Sequence, residues 1–395
     1  MGWTPLMAFA VIALIFAFGD LVANKTKGII SSIIFVIIVL LVFGSVLHIL
    51  PTDIFDQSGL LSLIPTFGMG LILVNLGSML NLNDLKREWK TVLVALAGIL
   101  GIVILQFTIG GILFGREQAY VASAPTAGGM AATMMLTQAA NESGRPDLAS
   151  FAASVMALQI LIGLPIASFC LRKEADRFIT ANGHKTALGS SDAKAINIRI
   201  IPTTPKSLDI PSMHLARLAI TAVIASTVTQ LTGISDGITF LVFGIIFGAL
   251  GLIEPRALQQ AGAESLLMLA TYASVVTSFV GMTISQFGSM LIPVIGLLLL
   301  GAVGVIIFAT IIGKLLKWTP WLSIAVGLCC MISYPVTYAV AMEVANGAVK
   351  GKGFTTEEEQ RVVDYILPKM IVSGTTSVSI ASVILAGIVA PMIFG

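Results

Sequence analysis

The hydrophobic pattern of this chain is neither the alternation of a strand nor the one-sided stripe of a soluble helix. Long runs are apolar on every face, at about 4–22, 29–50, 60–80, 91–114, 148–171, 215–233, 237–253, 264–285, 289–313 and 366–393. A bilayer core about 30 Å thick takes about 20 such residues per crossing, so these ten runs predict ten spanning helices. Two further apolar runs, about 116–140 and 320–346, are interrupted by Ser123-Ala124-Pro125 and by Ser333-Tyr334-Pro335. A broken helix leaves N–H and C=O groups unpaired, which hydrocarbon does not tolerate. Such backbone survives only where protein buries it or where it faces a watery cavity. Two interruptions at matching places in two halves of a chain mark where a transporter holds its solute.

Charge placement chooses the topology. If both interrupted runs cross the membrane, the twelve spans share the 22 basic residues almost evenly between the two sides. If both dip in and return, only Arg116 and Arg145 stay outside and the other 20 face the cytoplasm, as the positive-inside rule requires. From Arg116 to Pro125 is ten residues, a reach of about 15 Å, or half a bilayer core. The segment from Phe43 to Pro51 matches that from Phe247 to Pro255 at an offset of 204, and Gly77 falls on Gly281 at the same offset. The expected fold is an all-α polytopic membrane protein of two inverted repeats. Each holds five transmembrane helices and one re-entrant hairpin, giving ten spans and two hairpins. The repeats are residues 1–171 and 214–395, joined by a cytoplasmic linker at 172–213. Both termini lie outside a plasma or inner membrane.

Composition agrees with that class. The chain is 56% hydrophobic and 11% charged, with a mean hydropathy of +0.99, against roughly 25% charged in ordinary soluble domains. Its three cysteines lie in apolar runs without ligand spacing, and its three histidines form no cluster. No Walker, HExxH or G-x-S-x-G pattern is present, so an enzyme, a nucleic-acid partner and an organic cofactor are not expected.

What remains is a set of polar residues inside apolar runs. Gly128 and Gly129 offer backbone N–H groups to an anionic solute, with helix N-termini aimed at its charge. Ser123, Thr126, Thr133, Ser333 and Thr337 offer hydroxyls and Tyr338 a phenol; each hydroxyl can instead bond its own helix backbone. For a hard cation, which takes oxygen ligands, the candidates are Asn75, Thr375 and Thr376, together with Glu343, an ionisable residue inside the second hairpin. Asn75 has the alternative of an interhelical hydrogen bond, and Glu343 that of an ion pair with Lys369. Gln106, Gln159 and Gln286 read as structural polar groups. Na⁺ is the expected coupling ion, with a small-molecule substrate and the lipid bilayer as partners.

This plan, with Ala127-Gly128-Gly129-Met130-Ala131-Ala132 in the first hairpin, resembles the glutamate:Na⁺ symporter family. The sequence departs from that family where Met130 follows the glycines and where the second hairpin has Tyr334-Pro335-Val336-Thr337-Tyr338 without a glycine pair. The resemblance implies an elevator-type homodimer that couples Na⁺ entry to uptake of a small organic anion, an amino acid or carboxylate. The alternative is the membrane-embedded, sodium-translocating subunit of a decarboxylase pump.

Overall fold

A computed structural model describes residues 3–25, 32–79, 86–182, 209–234, 236–254, 256–332, 336–349 and 356–394. Every regular element among them is helical. Lipid offers backbone groups no partner, so each apolar segment must pair its own. Among the described residues, six helices are long and apolar enough to cross a membrane: Pro5–Val22, Leu60–Ser78, Trp89–Phe114, Pro146–Thr180, Pro211–Thr232 and Ile284–Leu315. Shorter apolar helices lie at Ser32–Gly44, Asp236–Leu250, Glu264–Val276, Pro320–Ile332 and Ile380–Phe394. The chain is thus a multi-pass membrane protein.

In chain order the helices begin α1 (Pro5–Lys25), α2 (Ser32–Leu40), α3 (Ile54–Gln57), α4 (Leu60–Leu63), α5 (Met69–Ser78), α6 (Trp89–Leu105) and α7 (Gly111–Phe114). The first broken run forms α8 (Arg116–Gly128) and α9 (Met130–Glu142), followed by the long α10 (Pro146–Asn182). Then come α11 (Pro211–Thr232), α12 (Asp236–Leu250), α13 (Ala257–Gln260), α14 (Glu264–Val276) and α15 (Ile284–Leu315). The second broken run gives α16 (Pro320–Gly327), α17 (Cys329–Ile332) and α18 (Val336–Val349), and the described chain closes with α19 (Thr356–Ile371) and α20 (Val378–Phe394). Wider π-turns interrupt four of the apolar runs, at Leu41–Val46, Ile64–Gly68, Gln106–Gly110 and Val372–Ser377.

Small residues let the helices approach closely, the usual basis of helix packing in membranes. A methyl added at Gly101 of α6 would lie 2.5 Å from the carbonyl carbon of Gly304 in α15, and one added at Gly304 would lie 2.5 Å from that of Gly101. The two glycines thus meet reciprocally, each packed against the other's carbonyl group. The helix ends repeat as well. The Phe43 carbonyl accepts from the N–H groups of Ile49 and Leu50, and the Phe247 carbonyl from those of Leu252 and Ile253. A single helical turn follows each, α3 and α13. Beyond the π-turn at Leu41–Val46 the matched positions lie 203 apart, as Ile54 and Ala257 do at the starts of α3 and α13, so the expected match of Gly77 with Gly281 at 204 is one residue out of register.

Two ion-bonded clusters fix how the broken runs are folded. Arg145, between α9 and α10, bonds Glu117 at the start of α8 at 2.8 Å and also bonds Asp147. Laid end to end, α8 and α9 would separate positions 117 and 145 by about 40 Å, so the two arms turn back on each other. At the far end of α10, the fully buried Glu174 accepts from Thr319, which caps α16, and from the Tyr365 hydroxyl of α19 at 2.8 Å. Arg177 completes the cluster at 2.8 Å. A straight rod from residue 320 to 349 would be about 45 Å long and would start α19 at the wrong end for Tyr365 to reach this carboxylate. The start of α16 and the middle of α19 therefore lie at the same end of α10. The two clusters lie about 40 Å apart along α10.

The first break is not where its proline suggests. The α8 helix continues through Pro125, which lacks the N–H for the Val121 carbonyl, and ends at Gly129 with φ 71° and ψ −131°. Only glycine adopts that backbone without strain.

Candidate functional site

The hydroxyls of the first hairpin are turned inward on their own helices. Ser123 Oγ donates to the Tyr120 carbonyl, Thr126 Oγ1 to that of Ala122 and Thr133 Oγ1 to that of Gly129, at 2.7, 2.7 and 2.8 Å. All three side chains are fully buried. The Gly129 N–H is also occupied, by the Pro125 carbonyl at 2.9 Å. What the tip does present is the start of α9. Gly129 has no side chain to cap it, so the N–H groups of its first turn lack the usual capping oxygen. Thr126 is tied to the other half of the protein through Gln106, whose Nε2 donates to Thr126 Oγ1 at 3.2 Å and to the Leu297 carbonyl of α15 at 2.9 Å. Since the Leu297 carbonyl can only accept, the amide's orientation is set, and Gln106 Oε1 is left buried without a partner.

At the second hairpin, Thr337 is fully buried and its Oγ1 has no hydrogen-bond partner. It rests against Gly374 in the π-turn Val372–Ser377, where an added methyl would come 2.6 Å from the hydroxyl. The neighbouring Ser373 Oγ donates to the Val326 carbonyl of α16 at 2.7 Å. Tyr338, by contrast, is 43% exposed. Ser333 lies outside the described residues, as do the side chains of Glu343, Thr375 and Thr376.

Asn75 is held elsewhere. Its Oδ1 accepts the N–H of Leu258 at 3.0 Å, which caps the first turn of α13, and its Nδ2 approaches Met79 Sδ at 3.7 Å. Of the three glutamines read as structural, Gln286 forms a reciprocal capping box with Thr283 at the start of α15. Gln106 and Gln159 instead each carry a buried carbonyl oxygen without a donor. The signal for these two is the isolated amide in an apolar run, and that signal does not separate a bonded amide from an orphaned one.

The geometry defines a class first: a helical multi-pass membrane protein in which the start of α8 and the start of α16 lie at opposite ends of the long α10. No known family matches the chain, and no curated protein matches it. Among solved structures, it is similar to the sodium proton antiporter of Methanocaldococcus jannaschii, at 17% identity over 99% of both chains and a TM-score of 0.49. The expected resemblance to the glutamate:Na⁺ symporters is corrected: a solved structure similar over 99% of the chain is that of a sodium proton antiporter. The stretch that suggested it, residues 127–132, consists mainly of small residues, and these recur wherever membrane helices pack closely.

Proposed function

We propose that this protein is a secondary transporter that moves a small monovalent cation by alternating access. The observation that carries the reading is that the two broken runs start at opposite ends of α10, marked by Glu117–Arg145 and by Glu174 with Thr319 and Tyr365. Two broken elements of this kind, one from each half, meet a solute at mid-depth and can open to one side at a time. The ten-span inverted-repeat plan fits the same geometry, supported by the reciprocal Gly101–Gly304 contact and the matched helix ends at Phe43 and Phe247. A continuous channel is disfavoured because two folded-back tips meeting at mid-depth obstruct a pore.

A second reading adds an organic anion to the cation. It is favoured by the uncapped first turn of α9, whose N–H groups and helix dipole attract negative charge. The test is uptake of radioactive Na⁺ into liposomes containing only the purified chain, with and without a carboxylate or amino acid, and with a pH-sensitive dye inside. Na⁺ movement alone supports cation transport, and its stimulation by an organic anion supports symport. A proton flux opposite to Na⁺ would make it an exchanger. If neither Na⁺ nor, in parallel assays, Li⁺, K⁺ or NH₄⁺ is moved by the isolated chain, the proposal is refuted and a pump subunit that needs a soluble partner is favoured.

A further inference from the structure

The levels of the two tips along α10 follow from arm lengths. The first hairpin's mouth lies beside Pro146, and its first arm, α8, is 13 residues long. An equal climb along α10 from Pro146 ends at Gln159. Met130, the first residue beyond the break, packs in the same apolar cluster as Met134, Ala153, Met156 and Ala157. From the other end, Thr319 is level with Glu174, and the arm that follows reaches Met331 and Ile332. A methyl added at Gly163 would lie 2.7 Å from Met331 Cβ and 3.4 Å from Ile332 Cγ1. Gln159 and Gly163 are four residues apart on a helix and so share a face. Gln159 therefore stands on the face of α10 that meets α17, at about the height where α8 and α17 end.

Gln159 is 5% exposed and its Oε1 receives no hydrogen bond, while Thr337, in the first turn of the second hairpin's returning arm, has a fully buried hydroxyl in the same state. Among the described residues, the other buried orphans are Gln106 Oε1, whose amide nitrogen is fixed by Thr126 and Leu297, and atoms of Gln57, Gln138, His214 and Thr310. A carboxamide oxygen can only accept, and one left unpaired in a dry interior costs about 1–3 kcal/mol. No Lys, Arg, His, Asp or Glu occurs in α10 from Val155 to Ala167, in α8 from Ala122 to Gly128, in α9 from Met130 to Leu136, or in α16 and α17. An occupant of this layer must bring its own positive charge or donors, and a hard cation is what bare oxygens take.

We propose that Gln159 Oε1 and Thr337 Oγ1 are ligands of the transported monovalent cation, held where the two hairpin tips come level. This rests on the cation-transport reading and assigns its site. The test is thermal unfolding of the purified full-length protein in LiCl, NaCl, KCl or NH₄Cl, with choline chloride holding ionic strength constant. One of these salts is expected to raise the melting temperature of the unaltered protein. Gln159→Leu and Thr337→Val should each raise the half-saturating concentration at least tenfold. Without that cation they should melt no lower than the unaltered protein, because an unpaired oxygen has been replaced by an apolar group of similar size. Thr337→Ser, which keeps the hydroxyl, should restore the response, and Gln159→Glu should lower the half-saturating concentration.

Variants that respond at the unaltered concentration would overturn the assignment while leaving cation transport standing. Should Gln159→Leu fail to fold, Gln159→Glu still decides, since an unchanged response in that variant would remove Gln159 from the site. If none of the four cations shifts the unaltered protein and none crosses liposomes containing it, both the site and the transport reading fall.

Discussion

The contact between α6 and α15 at Gly101 and Gly304 allows a quantitative test of how the two halves are joined. Alanine at either position puts a methyl carbon 2.5 Å from the other helix's carbonyl carbon, whereas carbon atoms rest at about 3.5–4.0 Å. The helices must then part by about 1 Å. They are not free to do so without loss. Gly301, one turn away, already lies where a methyl would be 3.0 Å from Thr126 Cγ2, and the Gln106 amide bridges to Leu297 at 2.9 Å.

Overpacking of this kind costs about 1–3 kcal/mol, so Gly101→Ala and Gly304→Ala should each lower the melting temperature in detergent. The double variant is the sharper measurement. Once one alanine has opened the gap, the second enters space already made, so the combined loss should be well below the sum of the two single losses. Gly288→Ala on α15, where nothing lies within 4 Å, should be neutral or slightly stabilising and serves as the control. Additive losses at positions 101 and 304, or no loss at either, would refute the reciprocal contact and with it the strongest structural support for an internal repeat.

Three other outcomes are expected. Gly129→Ala should lose about 1–3 kcal/mol of stability, because φ 71° and ψ −131° strain any residue with a Cβ, while Gly128→Ala at the end of α8 should lose less; equal melting temperatures would contradict the break at Gly129. Asn75→Ala should destabilise by about 1–3 kcal/mol by leaving the buried Leu258 N–H unpaired, with the cation response unchanged; a shifted response would instead make Asn75 a ligand. In a background lacking Cys170, Cys329 and Cys330, single cysteines at Arg116 and Arg145 should react with an impermeant maleimide from one side of the membrane and a cysteine at Lys317 from the other; labelling of positions 116 and 145 from opposite sides would refute the first hairpin.

The glutamines show where sequence reasoning stops. Helical segments are legible because lipid and protein interiors both demand apolar residues on every side, and the two interruptions stand out against that background. Local rules also account for Gln286, since Thr283 three residues earlier makes a capping box that can be read directly. Gln106 is different: its partner, the Leu297 carbonyl, is 191 residues away. Asn75 likewise finds Leu258 across 183 residues, so its polarity in an apolar run marks a joint between the halves rather than pointing directly to a ligand.

The exact residue of the first break, within the stretch between the two predicted arms, is set by a related rule. Proline announces a missing N–H, but a helix can absorb that loss near its end, and it is the glycine four residues later that supplies the backbone angles for the turn. Gln159 completes the contrast. Like Gln106, and unlike Gln286, it keeps a buried carbonyl oxygen that receives nothing from any described residue. A buried carbonyl oxygen that the fold leaves unpaired is a stronger pointer to an absent ligand than polarity alone. That distinction exists only once the partners of the other glutamines are known.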